Sequence, residues 1–134
     1  MNKLFLFPVF ILCCVIGCNN TNKPMHPIIG AWQLDSLSKN GADNTSAFLT
    51  NFPGYTIYFA DNGSVKSSYT NTATNNLQIT FGVFELMDNE TKVKVSFSGA
   101  AIQIADIHRL DETTLQYGYQ ESGDTILCKY KRRQ

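Results

Sequence analysis

From residue 28 to the end of the chain, short runs of β-branched and aromatic residues alternate with turn residues at hairpin-like intervals. The Asp61-Asn62-Gly63 triplet is the strongest turn signal, because Asn and Gly tolerate the positive φ of a tight hairpin. We expect one short helix, near residues 44–51. The pattern predicts eight antiparallel strands: Ile28–Leu37, Gly54–Ala60, Ser64–Thr70, Leu77–Met87, Thr91–Phe97, Ala101–Leu110, Thr113–Gln120 and Asp124–Arg132.

Alternation within a strand assigns its residues to the two faces of the sheet. The strand over Leu77–Met87 is apolar on both faces, so we expect it to be covered or strongly curved. A meander of eight strands must protect its edges, and closure into a barrel removes them. The short turns favour a barrel over a two-sheet sandwich, which usually needs longer crossovers. Three sets of residues share an inferred inward face: Tyr55, Ile57 and Phe59; Val93, Val95 and Phe97; and Ile126, Cys128, Tyr130 and Arg132.

The N-terminus has the pattern of a targeting segment. Residues 4–16 form an apolar run after the positive charge of Lys3. A helix of about 13 residues spans roughly 20 Å, which is shorter than the ~30 Å hydrocarbon core of a membrane. Such a run is typical of a signal peptide. It ends in Val15-Ile16-Gly17-Cys18, which resembles the lipobox of bacterial lipoproteins.

The lipobox resemblance implies cleavage after Gly17, a diacylglycerol on Cys18 and an acylated new N-terminus. Two or more acyl chains give a durable membrane anchor, whereas one holds a protein only marginally. The chain then divides into a signal peptide (1–17), a lipidated tether (18–27) and a single domain (28–134). Asn19, in place of Asp, favours the outer membrane of a bacterial cell envelope. The alternative is an ordinary signal peptide, with Cys18 free or disulfide-bonded.

Composition excludes several classes of function. Lys and Arg number 11, as do Asp and Glu, so the formal net charge is +0. This balance argues against a nucleic-acid binder, which needs a basic surface to displace counterions from phosphates. With two His and no ligand spacing around them, we expect no metal site. No nucleophile–base order, nucleotide loop or paired carboxylates stand out, so we expect neither an enzyme nor a cofactor.

Gly30-Ala31-Trp32 opens the first strand and resembles the Gly-x-Trp opening of lipocalins and lipocalin-like bacterial lipoproteins. In that family the Trp closes one end of an eight-stranded barrel, and a basic residue from the last strand lies across its indole. The resemblance implies an all-β, antiparallel up-and-down barrel in which Gly30, Trp32 and Arg132 close one end. A Trp at this position also suits the core of an unrelated β-domain. Three further segments look like the family: Tyr55–Ser64, Gly82–Leu86 and Ile102–Leu115.

An eight-stranded barrel is wide enough to hold one small apolar ligand. The candidate ligand-binding residues are Tyr69, Phe84, Tyr117 and Tyr119, which offer apolar walls and a few hydroxyls. The alternative is a barrel filled by its own side chains, with these tyrosines packed on the outer surface.

Two functions therefore stay open. One is a membrane-anchored monomer that binds a small hydrophobic ligand. The other is an envelope protein that contacts a protein partner, as an inhibitor or assembly factor, through its exterior or rim. A cavity with free space favours the first function, and a filled core with an exposed apolar patch favours the second.

Overall fold

The computed structural model describes residues 24–134, which form a closed barrel of antiparallel strands. All eight predicted strands are present, with ends that shift by a few residues, and the one helix lies within residues 44–51. The sequence pattern did not predict β2, a two-residue strand that pairs with the end of β1. The elements are β1 (Gly30–Lys39), β2 (Ala42–Asp43), α1 (Thr45–Asn51), β3 (Thr56–Phe59), β4 (Ser64–Thr70), β5 (Leu77–Met87), β6 (Lys92–Phe97), β7 (Gln103–Leu110), β8 (Thr114–Glu121) and β9 (Asp124–Arg132).

The barrel closes through β1, which pairs with both β3 and β9. Residues 30–33 pair with β3, and residues 32–39 pair with β9. A register shift between Leu34 and Ser36 marks a bulge, which bends β1 between its two partners. The strand order β1-β3-β4-β5-β6-β7-β8-β9 then returns to β1, so each of these strands has a neighbour on both sides. This confirms the predicted up-and-down barrel.

The core fills the half of the barrel around Trp32. The largest fully buried side chains are Trp32, Phe59, Ile28, Ile57, Leu115, Val65 and Val93. The inward faces predicted from alternation agree with this burial: Phe59, Val95 and Cys128 are all buried. The end of the barrel at Trp32 is called the closed end below, and the opposite end the open end.

At the closed end, Trp32 is held from two sides. Its Nε1 donates a hydrogen bond of 2.8 Å to the carbonyl of Ile28, in the segment that precedes β1. The guanidinium of Arg132, from β9, lies over the indole with Cζ 4.2 Å from the ring centroid. The register of β1 and β9 causes this contact, since Trp32 and Arg132 are direct cross-strand partners.

Arg132 also joins three backbone segments. Its guanidinium donates hydrogen bonds to the carbonyls of Pro27, Ile29 and Glu112, at 2.5, 2.8 and 2.6 Å. A planar guanidinium suits this role because its five N–H groups point in fixed directions. Gly30 leaves the necessary space: its φ is 129°, and a Cβ there would lie 2.5 Å from Nη1 of Arg132.

The last part of the predicted tether contacts the barrel. His26 Nε2 lies 3.0 Å from a carboxylate oxygen of Glu90, in the turn between β5 and β6. The predicted signal peptide, 1–17, and Cys18 lie outside the described residues, so the lipid anchor stays a prediction. Within residues 24–134, no helix is both long enough and apolar enough to cross a membrane.

The outer face of β5 is exposed and apolar. Leu77, Ile79, Phe81 and Val83 are 45–65% exposed, so the expectation of a covered strand does not hold among residues 24–134. On the inner face, Gly82 lets the backbone of β6 approach closely, since a Cβ there would overlap the Ser96 carbonyl. Close approach at a glycine is typical of a sharply bent strand, the other outcome expected for β5.

Candidate functional site

The open half of the barrel contains a cavity of about 520 Å³. This volume lies within the range of roughly 300–1,000 Å³ that small-molecule sites usually have. Strands β1, β3, β6, β7, β8 and β9 form the walls, and α1 contributes Phe48 near the opening. The apolar part of the lining consists of Leu37, Phe48, Ile57, Val95, Phe97, Ala100, Ala101, Ile102 and Ile104.

Helix α1 is fixed at this opening by hydrogen bonds and aromatic contacts. Thr45 Oγ1 accepts a hydrogen bond of 2.9 Å from the backbone N–H of Leu37 in β1. The Phe48 ring meets Tyr55 edge-on, with ring centroids 5.3 Å apart. The Phe48 side chain is therefore held in place as part of the cavity wall at the opening.

Polar side chains also line the cavity, and most of them come from β8 and β9. The inner ones are Tyr55, Gln103, Tyr117, Tyr119, Cys128 and Tyr130, and the exposed Gln120, Glu121 and Ser122 lie at the opening. The β8–β9 register places Tyr117 opposite Cys128 and Tyr119 opposite Ile126. Since Arg132 marks the closed end of β9, Tyr130 is the deepest of these residues and Tyr119 lies nearer the opening.

Tyr117 and Tyr130 form a buried pair at the base of the cavity. Their rings stack with centroids 5.4 Å apart, and their hydroxyl oxygens lie 2.9 Å apart. Both side chains are at most 5% exposed. Burial raises the pKa of each phenol well above its usual value, because the phenolate would lose its hydration there. The pair is therefore neutral at physiological pH.

The other titratable groups of the inner lining are neutral for the same reason. Burial also raises the pKa of Tyr55, and that of Tyr119 despite a hydrogen bond with Gln103. Burial raises the pKa of the Cys128 thiol to about 11. A thiol with such a pKa is a poor nucleophile at neutral pH, since the thiolate is the reactive form. The lining thus offers hydrogen bonds and apolar contact, and no activated nucleophile.

The structure brings two of the four predicted ligand-binding residues, Tyr117 and Tyr119, to the cavity. Phe84 instead packs edge-on against Phe59, with centroids 4.9 Å apart, in the closed half of the barrel. Tyr69 packs edge-on against Phe52 at 4.9 Å and does not line the cavity. Gly30, Trp32 and Arg132 lie together at the closed end, away from this space.

Sequence reasoning missed Tyr55 and Tyr130 as cavity residues. Both already belonged to inferred inward faces, Tyr55 with Ile57 and Tyr130 with Cys128. The missing information was their height along the barrel axis.

A second, more open space of about 610 Å³ lies at the closed end. Its walls are the segment over residues 24–29 together with Phe84, Leu86 and Glu90. The side chains of the described residues form no group of three His, Cys, Asp or Glu that could hold a metal ion.

Comparisons with known proteins address the fold. Japanin from Rhipicephalus appendiculatus, solved bound to cholesterol, is similar with a TM-score of 0.61 and 14% identity, over 81% of this chain and 79% of that one. The siderocalin Ex-FABP, described as functioning through dual ligand specificities, is similar with a TM-score of 0.50 and 14% identity, over 81% and 75%. No protein-family profile and no curated protein matches the chain. At such identities the likeness shows the fold alone, which is a lipocalin-like barrel.

Proposed function

We propose that this chain is a membrane-anchored lipoprotein of the cell envelope whose barrel binds one small hydrophobic ligand. The cavity of about 520 Å³ carries this proposal, because it has apolar walls and lies in the half of the barrel that the core leaves unfilled. A barrel of the same fold, Japanin, was solved with cholesterol, which supports a hydrophobic occupant. The cavity also argues against the alternative of a filled barrel.

The chemistry of the lining supports binding over catalysis. The Cys128 thiol keeps its proton at neutral pH, and the tyrosines do so as well. Among the described residues, the inner lining has neither a general base nor an activated nucleophile, and the one carboxylate, Glu121, is exposed at the opening, so the cavity suits binding better than catalysis. The protein holds its ligand as a monomer, without a cofactor.

Ligand binding is tested with a neutral fluorescent probe, 1-aminoanthracene, whose emission rises in an apolar site. Val95→Phe, on the inner face of β6, places a phenyl ring in the cavity and should weaken probe binding about tenfold or more. Val83→Phe makes the same change on the exposed outer face of β5 and should leave binding unchanged. Equal binding by both variants, or no probe binding by the wild type, would contradict the proposal. Mass spectrometry of protein extracted from its native envelope should reveal the natural occupant.

The anchor is proposed from Val15-Ile16-Gly17-Cys18. Cells fed radioactive palmitate should label the protein, and Cys18→Ser should remove the label. Cys14→Ser is a matched control, because that cysteine would leave with the signal peptide. Label that persists in Cys18→Ser would show that Cys18 is not the lipidated residue.

The exposed outer face of β5 favours a second candidate function, contact with another envelope protein. An apolar stripe of four neighbouring positions is unusual on a monomeric surface and often marks an interface. A photo-reactive residue at Phe81 should cross-link to one defined envelope protein in cells, whereas one at Lys66, its cross-strand neighbour on β4, should do so less. If Phe81 yields only diffuse products, the second candidate is wrong.

A further inference from the structure

The charges around the cavity are arranged unevenly. Among residues 24–134, no Lys or Arg lines it, and its one carboxylate, Glu121, is exposed at the opening. The nearest cations are already paired with carboxylates: Lys131 lies 2.6 Å from Asp35, and Lys39, at the open end of β1, lies 2.7 Å from Asp124. An anionic ligand would therefore lose its hydration in the cavity and meet no opposite charge there, which is strongly unfavourable.

The bond between the Tyr117 and Tyr130 hydroxyls leaves one phenol proton for another acceptor. Each phenol has one O–H donor, and the hydrogen bond between the two hydroxyls uses only one of the two protons. Among the described residues, the partner of the second proton is the sulfur of Cys128, which is a weak acceptor. An oxygen atom on a ligand is a stronger acceptor than this sulfur, so it would be favoured at this position.

Hydrogen-bonding groups extend from this pair towards the opening. The Tyr119 ring lies 6.3 Å from that of Tyr117, and Gln103 lies beside it on β7. All of these groups are uncharged. A ligand with a neutral oxygen at its leading end would find a donor at the base and apolar walls along its length.

We propose that the cavity selects uncharged amphipathic ligands, which carry a hydroxyl or carbonyl oxygen at the end next to Tyr117 and Tyr130, and discriminates against carboxylates. This inference is built on the proposed function, and it adds the chemical class of the ligand.

Three probes with the same twelve-carbon chain separate the effects of charge and hydrogen bonding: 1-dodecanol, dodecanoate and dodecane. Each is titrated at pH 7 against 1-aminoanthracene bound to the purified full chain carrying Cys18→Ser, which removes the proposed acylation site. Dodecanol should displace the fluorophore at a concentration at least about tenfold lower than dodecanoate, because the carboxylate has no counter-charge. Dodecane should bind roughly three- to tenfold more weakly than dodecanol, the value of one hydrogen bond.

Tyrosine variants test the role of the hydroxyl pair. The double variant Tyr117→Phe/Tyr130→Phe removes both hydroxyls and should reduce the preference for dodecanol over dodecane to near unity, while dodecane binding stays unchanged. Each single variant leaves one hydroxyl whose proton can bond to the ligand, so it should keep most of the preference and shows whether the barrel tolerates the change. Tyr58→Phe removes a hydroxyl from the exterior and should change neither affinity.

The possible failures are distinguishable. Dodecanoate binding as tightly as dodecanol, or a preference for dodecanol that survives in the double variant, overturns the inference and leaves the proposed function standing. Absence of binding by the fluorophore and all three probes overturns the proposed function, and the inference with it.

Discussion

Arg132 is the side chain on which the closed end of the barrel most depends, so its removal is a sharp test of the structure. Arg132→Ala loses the contact with the Trp32 indole, at 4.2 Å, and three hydrogen bonds to backbone carbonyls. Water can replace the two exposed bonds, to Pro27 and Glu112, but not readily the half-buried bond to Ile29. A cation–π contact contributes about 0.5–2 kcal/mol and a hydrogen bond to a charged donor about 1.5–3 kcal/mol.

We therefore expect Arg132→Ala to lower the free energy of unfolding by about 2–5 kcal/mol. Trp32 is the single tryptophan, so its fluorescence during urea unfolding reports both stability and the hydration of the closed end. Arg132→Lys keeps the charge but loses the planar fork, and its stability should be intermediate. Arg133→Ala removes an exposed neighbouring cation and is the matched control. If Arg132→Ala destabilises the protein no more than Arg133→Ala does, Arg132 does not hold the closed end.

Three other predictions concern stability. Gly30→Ala should be clearly more destabilising in urea unfolding than Gly41→Ala, because both residues have positive φ but only Gly30 lacks room for a Cβ; equal losses would contradict this. Above pH 9 the unfolded chain loses the proton of the Cys128 thiol, whereas the folded state keeps it. The free energy of unfolding should therefore fall as the pH rises, by about 3 kcal/mol near pH 11. Cys128→Ser should show a smaller decline over the same pH range. Hydrogen bonds from Thr113, Arg109 and Thr114 lower the pKa of Asp111. The ionised carboxylate therefore stabilises the folded state, and this stability should be lost as the pH falls below the usual pKa of an aspartate. If the wild type loses no more stability at acid pH than Asp111→Asn does, Asp111 does not have this role.

The fold could be predicted largely because its two determinants are local. Strands of period two and turns such as Asp61-Asn62-Gly63 are both encoded in neighbouring residues. The sequence did not predict β2, because a strand of two residues, Ala42 and Asp43, is too short to show an alternation of apolar and polar positions. The exposure of β5 could not be read from its pattern either. An apolar outer face does not show whether another part of the molecule covers it, since burial is decided by tertiary neighbours.

The candidate site was predicted only in part, because alternation assigns a residue to the inside of a barrel but not to a height along its axis. Phe84 and Tyr117 both have the inward phase, yet Phe84 packs in the closed half against Phe59 and Tyr117 lines the cavity. Tyr69 is also on the inward phase, but Phe52 lies against it. Height depends on strand register and tilt, which connect residues far apart in sequence.

One residue pair nevertheless contains information about height. With Arg132 placed against Trp32 at the closed end, each successive inward residue of β9 lies about 7 Å further along the strand, twice the rise per residue. Tyr130 is then the first inward residue above the closed end, followed by Cys128 and Ile126. The resemblance that pairs Trp32 with Arg132 thus also implies that Tyr130 lies at the base of any cavity, which is where the proposal places the leading end of the ligand.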